Sequence, residues 1–456
     1  MGYNPFLLFS FLAVISHINF TKATLSVQTV SEVHKISVPA PRNLPSDAWR
    51  PTILTSCPAL FYNESAPCRI NTNIVYAEEL IYPDFRIRLP GVVSEEQRQM
   101  YLLFLHEYRN DWKRGRAIDG YGYFLNQRGQ NLVYANVSYA GRPYPGRWAE
   151  DACMSGRAGS HANSFPPWDG NAEAPAAVFI ASPDHTYFQH FLDRVAMMLA
   201  QTRHLGRPED FKYISLPIPL RSPVQELWTM MVPGWTPETL LRANTPNLRT
   251  RLLVYPCQSP LIHPYTQQLA TEILLMSAGV DPNSIPPARD RPVVLFMTRQ
   301  GSRRWHNEDE CRQAVEGLLQ TRGRGEQLMA FRATDYPSLR AVANASTRVK
   351  LVMGAHGGAL NNIALMSPGT GVLEICPVSG DYRKSRCGAM FWETASVRNM
   401  PYWVVLANNT NAQWEILSLD CRMVVAAVRD ALEGIDAGMP SPLERFYQGN
   451  AFRRTS

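Results

Sequence analysis

The sequence lacks the short motifs that mark several common kinds of metal and hydrolytic site. Its 456 residues contain no Cys-x-x-Cys, DxD, HExxH or GxSxG pattern. These absences argue against a zinc or thiol redox centre, a metal ion held by paired aspartates, a zincin protease and an α/β-hydrolase. We therefore expect no bound metal and no other cofactor.

Blocks of positive charge are also missing. The chain has only 6 lysines beside 39 arginines, its net charge is +6, and no run of basic residues is longer than a pair. Proteins that bind nucleic acid usually concentrate basic residues on one face or in one tail. Nucleic acid is therefore not an expected partner.

The one long apolar run near the N-terminus is too short to predict a membrane span with confidence. Residues 5–16 form an apolar stretch of about a dozen residues, whereas a span needs about 20. A run of this length is typical of a signal-peptide core. We predict that residues 1–23 are a cleaved signal peptide or an uncleaved signal anchor, with membrane contact only in the second case. Both alternatives place the body of the chain in the secretory lumen.

The cysteines and the glycosylation sequons agree with a lumenal location. The chain has eight cysteines, an even number without metal-type spacing, which favours disulfides whose pairing the sequence leaves open. Sequons for N-glycosylation outside the leader occur at Asn63, Asn136, Asn344 and Asn408.

The length and composition predict two globular domains behind a linker. With 456 residues, of which 45% are hydrophobic and 18% charged, the chain can build two sizeable cores. Residues 24–55 contain prolines and show no apolar periodicity, which predicts a stem or linker. The segment 281–292 contains four prolines. We therefore predict an N-terminal domain over 56–285 and a C-terminal domain over 286–456.

Both predicted domains show apolar strands alternating with helices. In the second half, strands are predicted over 291–299, 326–334, 348–356 and 371–377, each separated from the next by about one helix length. This alternation predicts an α/β fold with two doubly wound, Rossmann-like domains facing a cleft. Ligands of such sheets bind at the carboxyl ends of the strands.

The segment 350–377 contains the sharpest candidate site. An apolar strand leads into a glycine-rich turn, 354–358, with His356 at its centre, and a helix is predicted over 358–366. Backbone amides at such a helix start suit a diphosphate, and the histidine can donate to a phosphate oxygen. The turn is neither a GxGxxG nor a Walker pattern, so no nicotinamide or ATP site is expected. The alternative is an ordinary strand-to-helix turn with a packed histidine.

A second candidate site follows the strand over 291–299. Arg303 and Arg304 lie on the segment that leads to a helix, where their guanidinium groups can clamp phosphate oxygens. Asn307 is predicted to cap this helix, with Glu310 completing a capping box. The alternative is a pair of solvated arginines beside an acidic helical turn.

A third candidate lies on the helix predicted over 186–205. His190 and Asp193 are three residues apart, on the face opposite the apolar positions Phe191 and Val195. A carboxylate aimed at a substrate can act as a general base toward a hydroxyl. The alternative is a solvated histidine and aspartate on an amphipathic helix.

Three blocks of the sequence resemble glycosyltransferase family 61. HGGALNNIALMSPGTGVLEI resembles the HGAGLTNLLFMPPGAVVIEI-type block, TRQGSRRWHNEDE resembles SRKGSRRILNEDE, and YFQHFLDRV resembles YYHFLFDVLPR. The blocks occur in the family's order over about residues 175–380. The family includes plant β-1,2-xylosyltransferases, xylan arabinosyl- and xylosyltransferases, and animal lumenal O-linked N-acetylglucosaminyltransferases.

The resemblance implies a GT-B-like, inverting and metal-independent enzyme of the endoplasmic reticulum or Golgi. Such an enzyme would move N-acetylglucosamine, xylose or arabinose from a UDP-sugar to a hydroxyl of a glycan or glycoprotein. The alternatives are a lumenal carbohydrate-binding protein or pseudoenzyme that keeps the fold without turnover, and a phosphate-binding enzyme of another reaction class.

The resemblance also implies a role for each donor-site residue. Arg303 and Arg304 would contact the diphosphate, and the turn of His356, Gly357 and Gly358 would cradle it, with Asn361 in the same nucleotide-sugar set. Glu374 would accept hydrogen bonds from the ribose hydroxyls.

On the acceptor side, Asp193 would be the catalytic base, and His190 would orient that carboxylate or the acceptor. The family's DVLPR continuation reads DRVAMML here, so the end of this helix departs from the pattern.

Overall fold

The computed structural model describes the greater part of both predicted domains. The described residues are 45–54, 74–112, 117–118, 120–139, 167–168, 170–171, 173–180, 186–215, 218, 222–242, 247–298, 305–332, 335–378, 389–408 and 419–446. The predicted signal segment 1–23 and most of the predicted stem lie outside them. Within the part that is described, none of the helices combines the length and apolarity needed to cross a bilayer.

The strands, in chain order, are β1 (Thr52–Leu54), β2 (Ile74–Ile81), β3 (Phe85–Arg88), β4 (Ala117–Ile118), β5 (Tyr121–Phe124), β6 (Arg128–Tyr139), β7 (Ala174–Phe179), β8 (Lys212–Ser215), β9 (Leu240–Arg242), β10 (Leu248–Gln258), β11 (Val293–Met297), β12 (Gln327–Phe331), β13 (Val349–Ala355), β14 (Gly371–Val378), β15 (Tyr402–Asn408) and β16 (Leu443–Arg445).

The helices, in chain order, are α1 (Glu95–Trp112), α2 (consecutive segments Phe188–His190, Phe191–Val195 and Ala196–Gln201), α3 (Pro223–Met231), α4 (Pro264–Ser277), α5 (Glu308–Arg322), α6 (Leu339–Ala345), α7 (Met390–Val397) and α8 (Cys421–Asp436). A 3₁₀ helix, Gly358–Leu365, follows β13. The predicted α/β class is therefore confirmed.

The chain divides into two compact units. Unit 1 comprises residues 1–82 and 127–270, and unit 2 comprises residues 83–126 and 271–456. This division differs from the predicted boundary between residues 285 and 286. The C-terminal unit begins earlier, and it also takes in a segment from the N-terminal half.

Unit 1 is built on a mixed seven-stranded sheet with the order β1-β2-β6-β10-β7-β8-β9. Strands β10, β7, β8 and β9 run parallel, whereas β1, β2 and β6 join as antiparallel neighbours. Alternate side chains of these strands form a buried cluster that includes Leu132, Tyr134, Phe179 and Leu253. The parallel half is thus the Rossmann-like part that the alternation predicts, and the antiparallel half extends it.

Unit 2 is built on a five-stranded parallel sheet with the order β12-β11-β13-β14-β15. The chain moves outward in one direction from β11 to β12 and in the other from β13 to β15. The topological switch point therefore lies between β11 and β13, and open α/β sheets bind ligands in the crevice beyond the carboxyl ends of such strands.

Helices α5 and α8 cover one face of this sheet with apolar side chains. Val315 of α5 and Val428 of α8 pack against Phe296, Met353 and other inward residues of the strands. Because successive side chains of a strand point to opposite faces, the residues between those positions face away from α5 and α8. Glu374, between Leu373 and Ile375 in β14, is one of them.

The segment 83–126 packs with unit 2 because its polar groups complete the edge strand β15. The side-chain amide of Gln97 donates to the Leu406 carbonyl at 3.1 Å and accepts from the Leu406 N–H at 3.0 Å. Gly91 forms a bridge with Trp403 on the same strand. The segment also contributes three strands to an antiparallel sheet of order β16-β3-β5-β4. These long-range backbone pairings are invisible to a linear reading, which explains the different boundary.

Helix α5 begins where predicted, but the predicted capping box is wrong. Asn307 occupies the cap position without a side-chain bond to the helix amides. Its side chain instead donates to the Leu419 carbonyl at 2.8 Å and accepts from the Leu419 N–H at 3.1 Å. This tertiary pairing joins the start of α5 to the segment that precedes α8.

A disulfide joins the same two helices. Cys311 of α5 is bonded to Cys421 of α8, and 110 residues separate them in the sequence. The expectation of disulfides is thus confirmed for this pair, and bonds of this kind persist in oxidising compartments.

We expect the double variant Cys311→Ala, Cys421→Ala to be less stable than the wild type by about 2–4 kcal/mol, because the bond restricts the unfolded chain. Denaturant unfolding of both proteins, with and without reductant, measures this difference. Equal midpoints for the oxidised wild type and the variant would contradict it.

Candidate active site

The glycine-rich turn lies at the carboxyl end of the central strand β13, beside the switch point. His356 directly follows the last residue of β13, and its backbone N–H donates to the Ile375 carbonyl of β14 at 2.9 Å. The turn then enters the 3₁₀ helix Gly358–Leu365, in place of the predicted α-helix. The carboxyl end of β13 thus places a histidine next to the start of a helix.

The His356 side chain is held by Glu374 of β14, which is itself held by Tyr402 of β15. His356 Nδ1 hydrogen-bonds one carboxylate oxygen of Glu374, and the Tyr402 hydroxyl donates to the other. The Phe391 ring packs against the imidazole with its centroid 5.0 Å away. Burial, reinforced by the charge of Glu374, holds the pKa of Tyr402 well above its usual value, so its hydroxyl stays a donor.

Glu374 is held from two sides in this geometry. The residue is only 2% exposed, and both of its carboxylate oxygens already accept hydrogen bonds, from His356 and Tyr402. A carboxylate in this position can orient the imidazole, and the predicted contact of Glu374 with the ribose stays a prediction. A strand pattern cannot reveal these contacts, because the two partners of Glu374 belong to β15 and to the end of β13.

The two glycines of the turn have different physical roles. Gly357 has a φ of 142°, a conformation that side-chain-bearing residues rarely adopt. Gly358 begins the 3₁₀ helix and is exposed, and a Cβ added to it would meet no heavy atom within 4 Å. The first amides of this helix lack intrahelical acceptors, as at every helix start. Amides at a helix start of this kind suit an anion such as a phosphate.

Asn361 lies in the first turns of the same 3₁₀ helix. It is 8% exposed, and its side-chain amide is 3.4 Å from the Gly358 carbonyl. This contact ties the Asn361 side chain to the glycine turn. The predicted role of Asn361 in binding the nucleotide-sugar stays a prediction.

The predicted arginine pair, Arg303 and Arg304, lies outside the described residues. The residues on either side of it are fixed at the end of β11. Thr298 donates its hydroxyl to the Phe331 carbonyl at 3.0 Å, and the buried Trp305 packs edge-on against Phe296 with a centroid distance of 5.0 Å. Since β11 and β13 are paired neighbours, Thr298 lies at the same carboxyl end of the sheet as the glycine turn.

His190 and Asp193 lie together in unit 1, as their spacing predicts. His190 Nδ1 is 3.5 Å from one carboxylate oxygen of Asp193, and Arg194 Nε is 3.5 Å from the other. The Asp193 side chain retains 14% exposure, whereas Phe191 and Val195 are fully buried. Helix α2 therefore turns its apolar face inward and keeps the carboxylate partly accessible between two basic side chains.

A π-helical turn, Phe191–Val195, carries Asp193 within α2. Such turns widen the helix by one residue and occur frequently at functional sites. The widening changes the direction of the side chains that follow His190, and it coincides with the stretch at which this sequence departs from the family-type DVLPR. The periodicity of the sequence, which predicts a regular α-helix over 186–205, did not reveal it.

Groups of three or more histidine, cysteine, aspartate or glutamate side chains close enough to hold a metal ion do not occur among the described residues. The expectation of a metal-independent reaction stays a prediction.

Comparison with known protein families supplies the identification. Residues 188–373 match the family model described as glycosyltransferase 61. This region of the chain is similar to glycosyltransferase family 61. This match confirms the resemblance of the three sequence blocks and implies glycosyltransferase activity, and the α/β architecture agrees with the GT-B-like fold expected of it. A comparison with curated proteins finds no match.

The region that matches the glycosyltransferase 61 model contains Asp193, the glycine turn and the position of the arginine pair, and it ends one residue before Glu374. Sequence reasoning did not identify two residues that hold the pair of His356 and Glu374. Tyr402 lies on β15 and Phe391 on α7, and neither element was predicted. The sequence signal for this contact is the hydroxyl of Tyr402 at the start of an apolar strand, and a single tyrosine is too weak a signal to identify a site.

Proposed function

We propose that this glycosyltransferase 61 protein transfers a sugar from a UDP-sugar to a hydroxyl of a glycan or glycoprotein, with inversion at the anomeric carbon and without a metal ion. The observation that carries the proposal is the glycine turn, 356–358, at the switch point of a parallel sheet, with open space before Gly358 and a buried histidine beside it.

The donor half of the reaction is assigned to unit 2. The amides at the start of the 3₁₀ helix and the His356 imidazole would bind the diphosphate, and Arg303 and Arg304 would add two guanidinium groups. Fixed dipoles and cations of this kind stabilise the negative charge that develops as UDP departs. They would perform the task that a divalent cation performs in metal-dependent transferases.

The acceptor half is assigned to Asp193. The acceptor oxygen would form a bond to the anomeric carbon as the bond from that carbon to the diphosphate oxygen breaks, and the hydroxyl proton would pass to the Asp193 carboxylate. UDP leaves with the electron pair of the broken bond. A single displacement of this kind inverts the anomeric centre. His190, 3.5 Å from the carboxylate, would orient Asp193 or the acceptor hydroxyl.

The proposed location is the lumen of the endoplasmic reticulum or Golgi. The disulfide between Cys311 and Cys421 supports an oxidising compartment. The apolar residues 5–16 support entry into the secretory pathway.

Nucleotide binding tests the donor assignment without knowledge of the acceptor. We expect UDP, and one UDP-sugar in particular, to raise the melting temperature of the wild type in the presence of EDTA, because a ligand of the native state stabilises it by mass action. We expect Gly358→Leu to lose at least 10-fold in UDP affinity without loss of stability, since its side chain would enter open space and cover the amides.

A matched control exists in α5. Gly317 is also exposed and also has no heavy atom within 4 Å of an added Cβ. Gly317→Leu should therefore keep the UDP affinity of the wild type. Equal UDP affinity in Gly358→Leu and Gly317→Leu would refute the donor site. UDP binding without transfer to any acceptor would favour a carbohydrate-binding protein instead.

A further inference from the structure

The hydroxyl of Tyr402 lies at the far end of a hydrogen-bonded series that reaches the glycine turn. Tyr402 is the first residue of β15 and pairs with Val372 of β14, two residues before Glu374. Since side chains two apart on a strand share a face, the phenol lies alongside the carboxylate and donates to it. Tyr402 is 5% exposed, so water does not compete freely for this bond.

Because Tyr402 holds Glu374, the Glu374 carboxylate in turn restricts the His356 side chain. An ionised carboxylate only accepts hydrogen bonds. Opposite such an acceptor, His356 Nδ1 is the donor of the bond to Glu374, which fixes the tautomer and directs Nε2 to the opposite side. The edge-on Phe391 ring limits rotation of the imidazole.

We propose that Tyr402 is a positioning residue of the donor site, which fixes Glu374 so that Glu374 holds the His356 imidazole in one tautomer and one orientation at the glycine turn. The catalytic consequence rests on the proposed function, because it assumes that His356 meets the diphosphate of a UDP-sugar. The positioning itself does not depend on that assumption.

The hydrogen bond from Tyr402 matters because a glutamate side chain with one partner can still rotate. A glutamate side chain held only by a histidine can rotate about its terminal bonds, and its two oxygens then alternate as acceptors. A second donor on the other oxygen removes this freedom. Groups behind a functional histidine fix its tautomer and ring direction in the same way at metal and catalytic sites.

The test compares Tyr402→Phe with Tyr121→Phe. Both substitutions remove one phenolic hydroxyl that donates to a glutamate in unit 2, since Tyr121 donates to Glu444 at 3.1 Å. Nitrogen-15 spectra of histidine-labelled protein report the tautomer of His356, with the signal assigned from a His356→Gln variant, and calorimetry reports UDP affinity.

We expect the wild type and Tyr121→Phe to show a single Nδ1–H form of His356 and equal UDP affinity. Tyr402→Phe should show a mixture of forms or a displaced signal, and about 5- to 10-fold weaker UDP binding, the fold-change that corresponds to the net contribution of one typical hydrogen bond. A purely structural role would lower the melting temperature without changing the histidine signal.

An unchanged His356 signal and unchanged UDP affinity in folded Tyr402→Phe would overturn the proposal. If this variant fails to fold, the wild-type spectrum decides. An Nε2–H tautomer would mean that His356 Nδ1 does not donate to Glu374, and this would overturn the proposal. If the wild type does not bind UDP, the proposed function fails, while the tautomer comparison still tests the positioning by Tyr402.

Discussion

Replacement of Asp193 by asparagine is expected to lower the rate of sugar transfer by about 10²- to 10⁴-fold, the usual contribution of a general base. The amide has nearly the shape of the carboxylate but cannot take up the acceptor proton. UDP affinity should stay unchanged, because the donor half of the reaction is assigned to unit 2. The rate is measured as UDP release from the best-binding UDP-sugar with a panel of glycan and glycopeptide acceptors.

Asp210→Asn is a matched control for this experiment. Asp210 belongs to the same unit, and its carboxylate pairs with Arg207 at 2.9 Å. The control should keep the wild-type rate. Transfer at the wild-type rate by Asp193→Asn would exclude Asp193 as the base, and equal losses in both variants would show that the effect is not specific to this carboxylate.

Replacement of Lys350 by methionine is expected to lower the free energy of unfolding by about 3–5 kcal/mol, because it removes the most deeply buried counter-ion of two buried carboxylates and leaves their charge only partly compensated. Lys350 Nζ lies 2.9 Å from Glu326 and 3.0 Å from Asp436, and its side chain is only 4% exposed. Arg322 bonds the same two carboxylates from α5. Denaturant unfolding at neutral pH measures the loss.

Arg324→Met is the matched control, because Arg324 pairs with the same Asp436 at 2.6 Å but its side chain is 58% exposed. Exposed ion pairs contribute about 0–1 kcal/mol. Similar losses in the two variants would mean that burial of Lys350 is not the cause. A loss below about 1 kcal/mol in Lys350→Met would contradict the prediction itself.

The same network predicts how the difference depends on pH. Burial alone would raise the pKa of Glu326 and of Asp436, but the hydrogen bonds and charges of Lys350 and Arg322 hold both pKa values below their usual range. Because the folded pKa values are the lower ones, the network stabilises the protein above the ordinary carboxyl pKa of about 4 and loses this contribution as the pH falls further. The difference between the wild type and Lys350→Met should therefore shrink in acid.

The strands of the parallel sheet in unit 2 were largely predictable because they are continuous apolar runs. Predicted strands over 291–299, 348–356 and 371–377 became Val293–Met297, Val349–Ala355 and Gly371–Val378. Strands buried on both faces leave this signature in the sequence. Strand β15 and helix α7 were not predicted, although both are largely buried in unit 2.

The candidate site was predictable to the extent that it is local. The glycine turn around His356 and the pair of His190 and Asp193 each lie within a few residues of chain, and the structure keeps each group together. The contacts of Glu374 were not predictable. Its carboxylate meets His356 and Tyr402, which are 18 and 28 residues away in sequence.

The sequence by itself determined the α/β class, the order of the main elements in the second half and the family, because apolar runs, glycine turns and contiguous motifs depend on neighbouring residues. Only the tertiary structure decided that residues 83–126 join unit 2, that Asn307 pairs with the Leu419 backbone, and that Glu374 supports a histidine. Each of these depends on which strands and helices become neighbours. That choice follows from how the whole unit buries its apolar faces and satisfies its backbone groups, and no short window of sequence contains it.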